Sequence, residues 1–140
     1  MKANAIVLLV LAMLLAGVCT ASDSSEQTVA AEKAATNWLA LTDGGSYSQS
    51  WDQAAQVFKD AVTEDQWAQA LSTVRTRLGK VVSRKLKSAT YTTSIPGEPD
   101  GQYVVIKYET SFENKATATE TVTPTMEKDG QWRVSGYYIR

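Results

Sequence analysis

Hydrophobic residues recur with helical spacing through the first half of the chain. Between residues 26 and 41, the apolar positions fall on one helical stripe formed by Ala31, Ala34, Ala35, Trp38 and Leu41. Gly44 and Gly45 follow this stripe, and glycine is the usual residue just beyond a helix C-terminus. The pattern therefore predicts a first helix that ends near residue 41.

Two further helices are predicted between residues 50 and 79. Ser50–Gln53 has the form of a capping box and precedes an apolar face of Trp51, Ala54, Ala55, Phe58 and Val62. Thr63–Gln66 is a second box, before Trp67, Leu71, Val74 and Leu78, and Gly79 would close that helix. Each predicted helix carries one tryptophan on its apolar face, which favours core packing over exposed binding aromatics.

Alternating residues replace the helical pattern after Gly79. The alternation predicts strands over residues 80–93, 103–112, 116–126 and 132–139. A long turn lies at residues 96–101, and tight two-residue turns are predicted at Asn114-Lys115 and Asp129-Gly130. Three helices followed by a four-stranded antiparallel meander predict an α+β domain.

The predicted turns also fix a register and therefore the two faces of the sheet. The uncharged face, assigned to the helices, would hold Val104, Ile106, Tyr108, Thr110, Phe112, a row of five threonines (Thr117, Thr119, Thr121, Thr123, Thr125), Trp132, Val134, Gly136 and Tyr138. Buried hydroxyls need partners, so this row is consistent with a ligand cavity, although threonine also favours strands intrinsically. The predicted ligand-binding residues are Trp38, Tyr108, Thr119, Thr121 and Tyr138.

The same register places Glu109 directly across from Glu120. Like charges facing each other on neighbouring strands are destabilising. Three explanations stay open: the register is off by one residue, Lys107 or a partner subunit neutralises the pair, or the two carboxyls share a raised pKa and act as an acid and base.

The beginning of the chain predicts export. Lys2 precedes an uncharged apolar run from Ala5 to Gly17, which is too short to span a membrane, and small residues at 19 and 21 predict cleavage after Ala21. The predicted organisation is a signal peptide at 1–21, a flexible tether at 22–27 and a single domain at 28–140. The expected location is the periplasm or the medium. Membrane attachment would follow only if Cys19 is lipidated, and Val18 before it does not fit a lipidation motif.

Composition removes several chemistries. The 140 residues include 14 Lys and Arg, 15 Asp and Glu, one cysteine and no histidine. Without imidazole there is no Ser-His-Asp or Cys-His machinery, and neither a P-loop nor a calcium loop is present. We therefore expect no catalytic residue set, metal site or cofactor, and no nucleic-acid partner. The one basic cluster comprises Arg75, Arg77, Lys80, Arg84, Lys85 and Lys87. Its expected partners are internal or intersubunit carboxylates, or alternatively an anionic ligand or envelope surface.

Several local motifs resemble those of a bacterial family, domain of unknown function 4019. They are Ala34–Leu39, Thr90–Thr93 before Pro96-Gly97, Tyr103–Val105, Tyr108–Phe112, Glu120–Thr123 and the ending Gly130–Ile139. The resemblance implies an exported protein and assigns no activity or functional residues. The order of elements is also similar to the nuclear-transport-factor-2-like and cystatin-like folds, in which a curved sheet and a helix enclose a cone-shaped pocket.

Three functional hypotheses follow. The first is a non-enzymatic exported module that binds a small ligand or an envelope protein. The second is a small histidine-free enzyme with a pocket between sheet and helices, for which the inward strand face offers no carboxylate. The third is a structural homodimer held by a mixed sheet face of Val105, Val122, Met126, Tyr137 and Ile139.

Overall fold

A computed structural model describes residues 21–140, with side chains from residue 24 onward. The helices in this range are α1 (Ala21–Asp43), α2 (Tyr47–Asp52), α3 (Gln56–Ala61) and α4 (Glu64–Leu78). The strands are β1 (Val81–Thr92), β2 (Tyr103–Phe112), β3 (Lys115–Met126) and β4 (Trp132–Ile139). The predicted signal peptide, with Cys19, lies outside the described residues except for Ala21. None of the described helices is long and apolar enough to cross a bilayer.

The predicted α+β class and the antiparallel meander are confirmed. The strands pair in the order β1-β2-β3-β4, and α1 contacts all four of them. The residues predicted as a tether, 22–27, form the first turns of α1, where Gln27 Oε1 accepts a hydrogen bond from the Trp132 indole at 3.2 Å. The likeness to a cone-shaped cystatin-like fold stays a prediction.

The predicted second helix is wrong, because two short helices take its place. The amide of Ala55 donates to the carbonyl of Val134 in β4 at 2.8 Å, so this amide is not available to continue α2. The next amide, Gln56, donates to the Glu127 carboxylate at 2.9 Å and begins α3. The sheet therefore interrupts a segment whose local pattern is continuous.

The helix-end signals predicted at Thr63 and Gly79 agree with the structure, whereas the one predicted at Ser50 does not. Thr63 and Gln66 form the predicted reciprocal capping box at the start of α4. Gly79 ends that helix as predicted, with φ of 76°. Ser50, however, is no N-cap. It is buried inside α2, where its carbonyl accepts from the Trp38 indole at 2.8 Å and its hydroxyl accepts from the Trp67 indole at 2.9 Å.

Aromatic side chains link the helices to the sheet. Trp38 packs against Trp67 at 5.9 Å between ring centroids and against Tyr137 of β4 at 5.3 Å. Phe58 contacts Trp67 edge-on at 4.8 Å. Such edge and tilted contacts are the arrangements that aromatic quadrupoles favour. The core-packing interpretation of Trp38 is confirmed, since 4% of this residue is exposed.

The predicted register of the first hairpin is wrong by one residue. The tight turn is Glu113-Asn114, because Phe112 pairs with Lys115 and a bulge follows near Ser111. The turn is fixed by α4: the Asn114 amide donates to the Leu78 carbonyl at 2.9 Å, and its side chain donates to the Arg77 carbonyl at 3.0 Å.

The bulge adds one residue to β3 and so exchanges its two faces, because side chains alternate along a strand. Ala118, Glu120, Val122 and Pro124 are buried on the inward face of β3, and Thr121 on the other face is buried as well. The threonine row lies on the opposite face. Glu109 pairs with Thr119 instead of Glu120, so the off-by-one explanation for the predicted carboxylate pair is the correct one.

Candidate binding groove and buried charge network

The five residues predicted to bind a ligand do not share a pocket. Trp38 and Tyr108 are buried on the side of the sheet that faces the helices. Thr119 and Thr121 belong to the other face of β3, together with Tyr138, which pairs with Thr121 and is 49% exposed. The five residues therefore do not line one shared cavity, because the backbone of the sheet separates the two groups. Ligand binding by any one of them stays a prediction.

The residues predicted to form a homodimer surface do not lie on one face of the sheet either. Val122 is fully buried and belongs to the core, and Tyr137 packs against the helix aromatics. Val105 is half-buried and lies on the other face of β2, between the core residues Val104 and Ile106. These residues cannot form one exposed dimerisation surface.

The inward position of Glu120 creates a charge network that the sequence did not predict. Glu120 is 0% exposed, and both carboxylate oxygens are occupied. Oε1 accepts from Arg84 Nε at 2.7 Å and from the Thr110 hydroxyl at 2.5 Å. Oε2 accepts from the Tyr137 hydroxyl and from Arg84 Nη2 at 3.1 Å. A buried carboxylate needs this degree of pairing, since an unpaired one is strongly destabilising.

Asp43, at the end of α1, is the second carboxylate of the network. It accepts from Arg75 at 2.6 Å and from both terminal nitrogens of Arg84, at 2.7 and 3.0 Å. Partial burial by itself raises the pKa of Asp43, but the hydrogen bonds and charges of Arg84 and Arg75 outweigh it and hold that pKa below 3.8. Burial alone disfavours the charged form of Arg84, but its hydrogen bonds to Asp43 and Glu120 prevail and raise its pKa.

Tyr137 is held in its neutral form. Burial and the adjacent Glu120 carboxylate raise the pKa of Tyr137 well above its ordinary value of 10.0. The phenol therefore serves Glu120 as a hydrogen-bond donor. Because Glu120 has no exposed surface, a substrate cannot reach this pair without opening the core. The network accordingly acts as a junction between α1, α4 and the sheet.

The basic cluster is partly satisfied within the chain. Arg75 and Arg84 pair with Asp43, and Lys87 pairs with Glu109 at 3.0 Å. The internal-partner interpretation therefore holds for these three of the six bases. The sequence signal for these pairs is that the basic cluster contains no acid, whereas eight carboxylates lie between Asp23 and Asp65 in the preceding helical segment.

The candidate ligand site is a surface groove outside the charge network. It has a volume of about 670 Å³ and lies between α1, the end of α2 and the β3–β4 turn with the start of β4. Its polar lining residues are Lys33, Asn37, Asp52, Gln53, Gln131 and Arg133, with Trp38 and Trp132 among the others. The volume falls within the about 300–1,000 Å³ typical of ligand clefts.

Most of the polar side chains of the groove are not committed to the fold. Within residues 24–140, the side chains of Lys33, Asn37, Gln53 and Gln131 make no hydrogen bond or ion pair. Two other lining residues are held in place. The Trp132 indole donates to Gln27, and Arg133 pairs with Glu127 at 2.8 Å and with Asp129 at 2.9 Å. The groove thus combines a fixed aromatic wall with free amide groups.

The structure offers no metal centre within residues 24–140: no three Asp, Glu or Cys side chains are close enough together to hold an ion.

Comparison with known proteins identifies a family. Residues 34–137 match the sequence model of the family described as "Protein of unknown function (DUF4019)". No curated protein matches the chain. Because the matched region covers most of the sequence, the chain belongs to the DUF4019 family.

Proposed function

We propose that this protein is an exported, non-enzymatic module that binds a small polar ligand in the groove between α1 and β4. The groove carries the proposal, because its free amide and charged side chains converge on one concave surface of ligand size. Export is proposed from the sequence pattern of residues 1–21, and the periplasm is the proposed compartment.

A binding role fits the chemistry better than an enzymatic one. The carboxylate of Glu120, which accepts from the Tyr137 hydroxyl, is enclosed in the core and engaged by Arg84. The groove offers hydrogen-bonding groups and an aromatic wall, which are the means by which proteins orient a ligand. Asp52 and Lys33 supply one charge of each sign there.

Native mass spectrometry of the protein recovered gently from the envelope of its own host tests this function. The chain mass would report cleavage after Ala21 or acylation at Cys19. We expect a stoichiometric adduct on the wild type that disappears in the double variant Asn37→Ala/Gln131→Ala. The matched control is Gln69→Ala, an exposed glutamine on α4 outside the groove. A bare wild-type chain, or an adduct that the groove variant retains, would overturn the proposal.

A further inference from the structure

We infer that the ligand of this groove is an uncharged saccharide. The inference rests on the proposed function and specifies the chemical class of its ligand.

The first argument is the balance of donors and acceptors. Asn37, Gln53 and Gln131 each present two N–H donors and a carbonyl acceptor. Sugar hydroxyls are donors and acceptors in the same way, so amide side chains can satisfy them in either direction. A phosphate or carboxylate ligand would instead require a surplus of donors such as arginine.

The second argument is charge. Lys33 and Asp52 balance each other formally, and the one arginine of the lining, Arg133, is already paired with Glu127 and Asp129. Apart from Lys33 and Asp52, which have opposite charges, the groove therefore offers no unpaired charged side chain within residues 24–140. An uncharged ligand meets no desolvation penalty for a charge that would remain unpaired.

The third argument is the aromatic wall. Trp132 is half-buried, lines the groove and is held in one orientation by its hydrogen bond to Gln27. The face of an indole ring carries negative electrostatic potential, and the C–H face of a pyranose ring carries slight positive potential. A sugar ring can stack there while its hydroxyls reach the amides.

The sheet edge disfavours the main competing ligand, an extended peptide. Peptides commonly bind by adding a strand to an open sheet edge. At this edge, however, the carbonyl of Val134 already accepts the amide of Ala55 at 2.8 Å. A peptide in the groove would have to bind through side chains alone.

The test is an NMR titration of the full mature chain, Ser22–Arg140, with isotopically labelled amides and indoles. The probes are the neutral trisaccharides of glucose, mannose, galactose and N-acetylglucosamine, each to millimolar concentration, with tri-alanine as the peptide probe. We expect saturable shifts for at least one trisaccharide at Asn37, Gln53, Gln131 and the Trp132 indole. Asn37→Ala should weaken that affinity by about three- to tenfold, whereas Gln69→Ala should leave it unchanged.

These outcomes distinguish failure of the saccharide inference from failure of the proposed binding function. Groove shifts with tri-alanine alone, or no groove shifts with any trisaccharide, would overturn the saccharide inference. The adduct seen by native mass spectrometry would still support a binding groove in that case. If that adduct is absent as well, both proposals fail. Asn37 is exposed and has no intramolecular partner within residues 24–140, so its alanine variant should fold normally.

Discussion

Arg84 reaches across the whole width of β2 to bind Glu120 on β3, with 2.7 Å between Nε and Oε1. In the sheet register, Arg84 lies opposite Thr110 on the intervening strand β2, and Glu120 lies opposite Ile139 on β4. One ion pair therefore joins the edge strand to the far half of the sheet. The same guanidinium binds Asp43 on α1, so the pair also docks the longest helix.

Removing the Glu120 charge should severely destabilise the fold. Glu120→Gln leaves Arg84 and the nearby Arg75 with one buried carboxylate fewer, and breaking such a pair costs about 3–5 kcal/mol. Urea unfolding followed by circular dichroism measures the loss. Glu109→Gln is the control, because its ion pair with Lys87 is exposed to solvent and should contribute little. Equal stability losses in both variants would contradict the assigned importance of Glu120.

Tyr137 should make the protein sensitive to alkali. The native pKa of Tyr137 is raised above the 10.0 expected in the unfolded chain. The unfolded state therefore loses this proton first, and native stability falls as pH rises above 10, by up to about 1.4 kcal/mol per pH unit. Tyr137→Phe should cost about 1–3 kcal/mol at pH 7, since Glu120 loses a donor.

The difference between wild type and Tyr137→Phe should shrink above pH 10. Urea unfolding at pH 8, 10 and 11 gives this comparison. The raised pKa values of Tyr103 and Tyr108 affect both proteins equally and cancel. A difference that is independent of pH would show that the phenol proton is not the group involved.

Asp43 should act in the opposite direction, at acidic pH. Its native pKa lies below the ordinary value of 3.8, so its ionised form stabilises the fold above that value. This contribution is lost as pH falls through the lowered native pKa. We expect wild type to be more stable than Asp43→Asn at pH 7 and the two to converge toward pH 2. Thermal unfolding across this range would refute the assignment if the gap widened in acid.

Ser50→Ala should destabilise the helix layer by removing one acceptor. The variant leaves the Trp67 indole N–H without the Ser50 hydroxyl, whereas Trp38 keeps the Ser50 carbonyl. The expected loss is about 1–3 kcal/mol. In an NMR spectrum, the Trp67 indole proton should shift more than that of Trp38. Ser48→Ala, an exposed neighbour on α2, should change neither quantity, and a larger shift at Trp38 would contradict the bonding pattern.

Gly79→Ala should be more harmful than Gly97→Ala, although both glycines have positive φ, at 76° and 84°. A Cβ at residue 79 would lie 2.9 Å from Glu113 Cβ, whereas nothing lies within 4 Å of one at residue 97. Steric crowding should add about 1–3 kcal/mol to the backbone strain that the two variants share. Thermal unfolding of both variants measures this difference. Equal losses of stability in Gly79→Ala and Gly97→Ala would mean that the turn at Glu113 can move away from α4 without cost.

Part of the fold could be predicted from sequence because its causes are local. The Thr63 cap, the end of α4 at Gly79 and the alternation of β2 depend on residues a few positions apart. The groove had no such signal, since Asn37, Gln53 and Gln131 come from three separate segments of ordinary polarity. The charge network was missed because the position of Glu120 depended on a register shifted by one residue.

The amino-acid sequence by itself determined the α+β class, the strand order and the family, through periodicity, turn residues and family-specific motifs. Only the tertiary structure decided which face of β3 lies inward, because a bulge after the Glu113-Asn114 turn gives β3 one residue more than β2 between the pairs Phe112–Lys115 and Thr110–Ala118. It also decided that Ala55 interrupts a continuous helical pattern, since the carbonyl of Val134, far away in the sequence, takes its amide. A local pattern records preferences, whereas a register shift of one residue moves every side chain of the strand to the other face.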